Sequence, residues 1–371
     1  MASPQAGTLN GSGPLLYKPD WPRAQKRWTA FWRRQNNDRP LMDVRAPSGK
    51  SLPPLPPPPT LEAKYFDPDY IEAEWLRTME ATYFGGEAFP SGGFLMGGYA
   101  LGCGEGVGFA DNTVWHPHLA DNMAEPIPWR PGPDDPWRHR LDRVVNRLLA
   151  ASKGKFLVGA TGQVPLNDLI ALLRGTEDFL VELATEPDLC ARRMAELFEP
   201  YIENAEHYIG LVSASQYGRA FGYPGLWSEE FFKATQSDMS CMISPAMFAA
   251  WVMPELDMLG ERYAFLWCHL DGPGAVVHLP ALLGRPYIRC IQYVPGSGAE
   301  PNGPRWMDLY RRVQAAGRCL EIAVPPEHVE FVVRRLRPEG LLIRTQAASA
   351  EEADELLDKA ARWAGSDAGR A

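Results

Sequence analysis

The amino-acid sequence predicts an α/β protein: a (β/α)8 TIM-type barrel with an N-terminal helical and proline-rich extension. Three observations carry that expectation. Eight apolar, strand-like segments recur along the chain, a helical segment or long insertion follows each, and none leads into a phosphate-binding glycine loop. Alternation alone equally allows a doubly wound open sheet, but neither GxGxxG nor GxxxxGK[ST] follows a strand, which removes the usual support for a nucleotide-binding sheet. With 371 residues, 45% of them apolar, the chain is long enough for one barrel around a large core.

In chain order, residues 1–20 read as a flexible leader, because Gly, Ser and Pro dominate and little can be buried. Residues 22–35 form an amphipathic helix with Trp28, Phe31 and Trp32 on one side and a basic face opposite. That aromatic stripe is expected to pack onto the domain rather than onto a membrane surface. Residues 1–36 are thus a leader and helix, and 37–371 a single barrel domain. The run SLPPLPPPPT (51–60) is a polyproline segment, read as a rigid spacer. Strand candidates follow at Pro40–Arg45, Ala88–Leu95, Lys155–Ala160, Phe232–Ser237, Ala264–Cys268, Ile288–Val294, Cys319–Ile322 and Leu341–Arg344. Helices are expected over 137–152, 166–173, 176–184, 187–209, 244–262, 304–316, 325–336 and 349–364. GCGEGVG (102–108) has the wrong spacing for a nucleotide loop and reads as a turn.

Composition excludes several functions. A net charge of −9 argues against nucleic-acid and anionic-membrane partners, which demand a basic surface. No apolar run approaches the roughly 20 residues a bilayer requires. The N-terminal MASPQAGTLNGSGP lacks the apolar core of a signal peptide. The six cysteines (103, 190, 241, 268, 290, 319) form no CxxC pair, so reduced thiols in a cytoplasmic protein fit best.

The chemistry is concentrated in AFLWCHLDGPGAVVH (264–278). A strand ends in His269-Leu270-Asp271, and a Gly-Pro-Gly turn at 272–274 leads into a short helical segment. Side chains at such strand ends face the ligand side of a β/α fold, and residues two apart share a face. His269 and Asp271 can therefore hold a divalent metal, shuttle a proton or bind a polar substrate. Cys268 falls on the opposite face and reads as a buried thiol. Asp238 ends the fourth strand and is expected at the same mouth, sharing the acid–base work with Asp271, while Ser244 before Pro245 suits the following helix cap. Gln292 and Tyr293 end the sixth strand as candidate substrate contacts. Tyr83, Tyr99, Trp115 and Trp227 are aromatics that could wall a pocket, Tyr99 among them a substrate-contact candidate; each is otherwise a core residue. His116 and His118 are expected to be solvated or locally hydrogen-bonded, and His278 follows the GPG turn with either orientation open.

Residues 155–209, TQSDMSCMISPAMFAAWVMPEL (235–256), the CHLDGPG strand end, IRCIQYVPGSG (288–298) and PEGLLIRTQAASAEEADELL (338–357) resemble the uroporphyrinogen decarboxylase superfamily, which also holds corrinoid-linked methyltransferases. The likeness extends more weakly over RPLMDVR (39–45) and FLMGGYALGC (94–103), covering about three quarters of the chain, and the family fold is a (β/α)8 barrel. The departures are specific. Gly93 stands where the decarboxylases carry an aspartate, and Arg45, with Lys50 nearby, is what is left of the arginines that hold porphyrinogen carboxylates. In the methyltransferase branch zinc sits on a His-x-Cys pair and a later Cys. Here His269 matches the histidine, Asp271 replaces the first cysteine and Thr345 lies near the second. The resemblance implies a corrinoid-linked methyltransferase moving a one-carbon group to or from a small polar molecule. Zinc or another divalent ion would sit on His269 and Asp271, and the corrinoid would be carried by a partner protein. The alternatives are a decarboxylase or lyase acting on a non-porphyrin substrate, and a barrel that binds a ligand without catalysis.

Overall fold

The computed structural model describes residues 13–92, 95–160, 163–215, 219–221 and 225–365; Gly93 lies outside them. Eleven strands are present among these residues: β1 (Leu41–Pro47), β2 (Thr82–Gly86), β3 (Gly108–Phe109), β4 (Val114–Trp115), β5 (Arg219–Phe221), β6 (Leu226–Ser228), β7 (Phe232–Thr235), β8 (Phe265–Asp271), β9 (Ile288–Val294), β10 (Cys319–Ala323) and β11 (Leu341–Gln346). Seven of them form one sheet in the order β2-β1-β11-β10-β9-β8-β7, parallel throughout except for the antiparallel β1–β2 pair. The short strands pair as two separate hairpins, β3–β4 and β5–β6.

The expected alternation holds through the second half of the chain. Helices Pro245–Arg262, Met307–Ala315, Pro326–Arg335 and Ala350–Gly365 follow β7, β9, β10 and β11, while β8 leads into short helical segments over 272–283. Local chemistry starts these helices where anticipated. The Ser244 hydroxyl accepts the Met247 N–H at 3.2 Å, with Pro245 in the first turn, where its missing N–H costs nothing. In the first half, among the described residues, the strands expected at 88–95 and 155–160 are reduced to isolated bridge positions, Ser91 paired in parallel with Leu157 and a further one at Ala160. Pro90 has no N–H to donate and contributes only its carbonyl, to Leu157 N at 2.9 Å. Preceding them is β2, a strand at 82–86 that the sequence reading missed.

Period-two alternation divides the sheet into two cores. Met42, Val44, Leu266, Cys268, Leu270, Ile291, Tyr293, Leu320 and Ile343 face the surrounding helices. Leu41, Phe265, Trp267, Cys290, Cys319 and Leu342 face the other way and meet Trp21, Trp28, Phe31 and Trp32 of the helix Trp21–Trp32. That helix closes one end of the sheet with its aromatic stripe, and its indoles are satisfied by carbonyls, Trp28 Nε1 to Glu87 O at 3.0 Å and Trp32 Nε1 to Trp227 O at 2.8 Å. The leader expectation fails for its described part. Leu15 and Lys18 are buried, and the Lys18 ammonium donates to the Phe84 and Gly86 carbonyls, each at 2.8 Å. A lysine near the end of a Gly/Ser/Pro-rich stretch gives no hint of these distant acceptors. No helix among the described residues is long and apolar enough to cross a membrane.

Candidate active site

β8 continues through His269 and Asp271 instead of ending at Cys268, because its ladder to β9 runs on through the register pairs His269–Gln292 and Asp271–Val294. The chain then turns at Gly272, whose φ of +74° places it in the left-handed region that glycine adopts without strain. His269 Nε2 lies 3.8 Å from Asp271 Oδ1. Asp238 opens the one-turn helix Asp238–Met242 after β7, and its carboxylate joins them. Donor atoms of Asp238, His269 and Asp271 all lie within 4.8 Å of one another. Asp238, expected as an acid–base group, is thus placed as a third donor beside the expected pair.

Asp238 keeps solvent contact at the rim, yet burial by the surrounding protein raises its carboxyl pKa, His269 pulling it down and Asp271 pushing it up. Its backbone N–H donates at 2.9 Å to the buried Asp168, which also accepts the Met239 N–H. Burial first, and the Asp238 charge second, push the Asp168 carboxyl up to about 8. Asp168 was not singled out from sequence, where it reads as one more polar residue near a helix start.

A cavity of about 750 Å3 reaches Gln292, the hydrogen-bond partner of His269, and is lined by Asp43, Arg45, Gln292, Asn302, Arg344 and several proline side chains; Asp238, His269 and Asp271 are not among its lining residues. Arg45 lies in it half-exposed, its Nε 2.9 Å from Asp43 Oδ1 and Nη2 3.2 Å from Oδ2. Arg344 also pairs with Asp43 and donates from Nε to Glu321 Oε1 at 2.6 Å and from Nη2 to Gly225 O at 3.0 Å. Gly225 has φ +80°, and a Cβ there would stand 3.5 Å from Arg45 Nη2 and 3.7 Å from Arg344 Nη1. Burial alone would raise the Asp43 carboxyl, but Arg45 and Arg344 outweigh it and hold the group below its ordinary value. Arg344, Glu321 and Asp43 were missed in the sequence. The available signal was a charge in the middle of an apolar strand, in LLIRT, CLEIA and LMDV, each on the same parity as a cavity residue.

The remaining candidates divide. Gln292 lines the cavity, but both ends of its amide are used within the protein, Oε1 accepting from His269 Nδ1 at 2.5 Å and Nε2 donating to Glu321 Oε1 at 3.2 Å. Tyr293, one residue on, points to the opposite face and packs on Trp306 with ring centroids 5.0 Å apart, so it does not stand beside Gln292 as a substrate contact. Burial pushes its phenol up to about 12. Tyr99 does not line this cavity; its ring sits 5.6 Å from that of His116, whose burial lowers its pKa to about 4. His118 packs over Gly175 and His278 is buried, donating from Nε2 to Ser240 O at 2.8 Å. Thr345 lines the cavity but lies on the parity of Leu341 and Ile343, apart from the His269 group. Lys50 pairs with Glu80 at the surface, Tyr83 donates to Asp354 at 2.6 Å, Trp115 is exposed, and Trp227 packs against Trp21. Cys268 is buried in the helix-facing core, as its parity requires.

No protein-family model matches the chain, and no curated protein matches it. Seven solved chains share its fold. One is a methyltransferase from Methanosarcina mazei, similar at a TM-score of 0.57 with 11% identity, the alignment covering 91% of this chain and 98% of that one. At that identity the likeness is one of fold: an α/β architecture built on a seven-stranded, mostly parallel sheet.

Proposed function

We propose that the protein is a methyltransferase of the corrinoid-linked type, transferring a one-carbon group to or from a small polar molecule. It would be a closed (β/α)8 barrel in which the Ser91–Leu157 bridge marks the second and third strands, with residues 37–371 as one domain. The observation that carries the reading is the His269–Asp271–Asp238 cluster at the strand ends, connected through Gln292 to a ligand-sized cavity. The methyltransferase neighbour supports it through fold alone.

The donor set suits a divalent ion: one imidazole nitrogen and two carboxylates, close enough together to share one centre. A bound zinc would act as a Lewis acid toward the substrate heteroatom. Without thiolates the set is harder than that of the family sites, which favours an oxygen or nitrogen substrate over a thiol. His269 and Asp271 would hold the ion, with Asp238 as third ligand or, when protonated, as proton donor to the substrate. Arg45 would orient an anionic substrate group, because Asp43 takes its Nε and Nη2 and, among the described residues, leaves Nη1 over. A separate corrinoid protein would supply or accept the methyl group. The raised Asp238 carboxyl also suits a carboxy-lyase, the second reading.

The test combines zinc and cobalt(II) binding with turnover. Wild type should bind about one equivalent, consume the methyl group of methylcobalamin in the presence of small hydroxylated or amine acceptors, and lose both properties in His269→Ala. Asp271→Asn should reduce turnover by about two orders of magnitude or more while changing stability by less than ~1 kcal/mol, since a rim carboxylate contributes little packing. Carbon dioxide release from small acids without methyl transfer would favour the lyase. Tight ligand binding with unchanged behaviour in both variants would rule out catalysis by this cluster.

A further inference from the structure

Behind the cluster a buried polar row crosses the sheet, and the chemistry above leaves its centre unused. Glu321, in the middle of β10, is fully buried, and its two oxygens receive three donors. Trp267 Nε1 donates to Oε2 at 2.7 Å, while Arg344 Nε and Gln292 Nε2 donate to Oε1 at 2.6 and 3.2 Å. A carboxylate taking a guanidinium and an indole N–H acts as an acceptor on both oxygens. It therefore selects the NH2 end of Gln292 and turns the amide oxygen toward β8. That oxygen lies 2.5 Å from His269 Nδ1, and an amide oxygen can also only accept. In the neutral ring the proton must then sit on Nδ1. Nε2 is left with its lone pair, 3.8 Å from Asp271 Oδ1 and facing the carboxylates.

We propose that Glu321 is a positioning residue which, through Gln292, fixes His269 in the Nδ1–H tautomer and so makes Nε2 its donor atom toward the Asp238–Asp271 cluster. The three residues are neighbours in register, Glu321 beside Gln292 and Gln292 beside His269, so the rigid ladder holds the relay. Trp267 fixes Glu321 from two residues before His269 on the same strand face, its ring lying 6.3 Å from the imidazole at 16°. The consequence for metal affinity rests on the cation reading above; the tautomer itself does not.

Nitrogen-15 correlation spectra of the imidazole rings read the tautomer directly, with the His269 signals among the seven histidines assigned by their loss in His269→Ala. The spectra are recorded as a pH series, and the tautomer is read on the alkaline plateau, where the ring signals no longer move with pH. Wild type should show His269 as Nδ1–H by a wide margin. Gln292→Leu and Glu321→Gln should each shift the tautomer ratio toward Nε2–H by about tenfold, the worth of one buried hydrogen bond. If Glu321→Gln fails to fold because Arg344 loses an acceptor, Gln292→Leu decides, since it leaves the Glu321–Arg344 pair intact. An Nε2–H ring in the wild type, or an unchanged ratio in Gln292→Leu, overturns the proposal. Cobalt(II) titration then separates the two claims. About tenfold weaker binding in Gln292→Leu is expected from a lost outer-shell partner. No cobalt binding by a wild type that shows the stated tautomer would remove the cation reading and leave the relay standing.

Discussion

On β1, β8, β10 and β11 of the large sheet, polar side chains follow apolar ones along the side that faces away from the surrounding helices. On β8 Phe265 and Trp267 precede His269 and Asp271; on β1 Leu41 precedes Asp43 and Arg45; on β10 Cys319 precedes Glu321. The first positions meet the Trp21–Trp32 helix in a dry aromatic cluster. The later ones meet each other, two carboxylates (Asp43, Glu321) against two guanidiniums (Arg45, Arg344), beside the cavity. At the apolar end burial alone is favourable and any well-shaped hydrocarbon serves. At the polar end every buried group must find its partner, because an unpaired charge there costs far more than a lost methyl contact. One end of the sheet can stabilise the fold and the other can carry a site on the same strands.

The sharpest way to break that division is at the aromatic end. Trp28→Ala should cost about 3–5 kcal/mol, the range for deleting a large buried aromatic, and should lower the thermal midpoint accordingly. Cation binding by the folded variant, measured well below its midpoint, should stay within about twofold of wild type. A collapse of affinity in the still-folded variant would mean that the two ends are coupled and the division is wrong.

Asp43→Asn probes the polar end and should cost about 3 kcal/mol, because it leaves two guanidiniums short of their shared anion. The pH sign follows from the depressed carboxyl. With its folded pKa held below the unfolded value, Asp43 adds stability that is present above the ordinary carboxylate range and lost as pH falls through the folded value. The gap between wild type and variant should therefore narrow in acid. A pH-independent gap would show that the carboxylate's charge is not what stabilises the cluster.

How much of this was legible beforehand follows the same division. Aromatic spacing in the Trp21–Trp32 helix, the Ser244-Pro245 start and the parity of His269, Asp271 and Cys268 are local patterns, and a sequence states them directly. The expected strand at 88–95 runs through Pro90, a residue barred from donating, which the apolar run alone does not weigh. Tyr293 was grouped with Gln292 by proximity along the chain, although adjacent strand residues face opposite ways. Arg344, Glu321 and Asp43 were passed over for a deeper reason. Each is unfavourable alone in an apolar strand, and only the pairing of β1, β10 and β11 supplies its counter-ions. Long-range partners of this kind are set by register across the sheet, which no single segment encodes.

The smallest expected effect concerns a buried charge that lacks such pairing. Lys233 on β7 is buried on the helix-facing side, its ammonium 5.1 Å from the centre of the Tyr201 ring, and it makes no ion pair within 4 Å among the described residues. Burial lowers its pKa to about 8, with Glu255 opposing. Glu255 does not depend on it, because the N–H groups of Leu166 and Asn167 and the Asn167 side chain already donate to that carboxylate at 2.7–3.0 Å. Lys233→Met keeps the stem and removes the charge, so at pH 7 it should be neutral to stabilising by about 1 kcal/mol, unlike the loss at Asp43. The unfolded chain binds the lysine proton up to its ordinary value of 10.5, whereas the folded chain releases it near 8. Wild-type stability should therefore recover as pH rises from about 8 to about 10.5, and the advantage of the methionine should shrink across that window. Thermal midpoints of the two proteins at neutral pH and near pH 10 check the sign. A methionine advantage that stays constant with pH would assign it to packing, and a loss at neutral pH comparable to that of Asp43→Asn would mean the Lys233 charge is as well compensated as the cluster it was contrasted with.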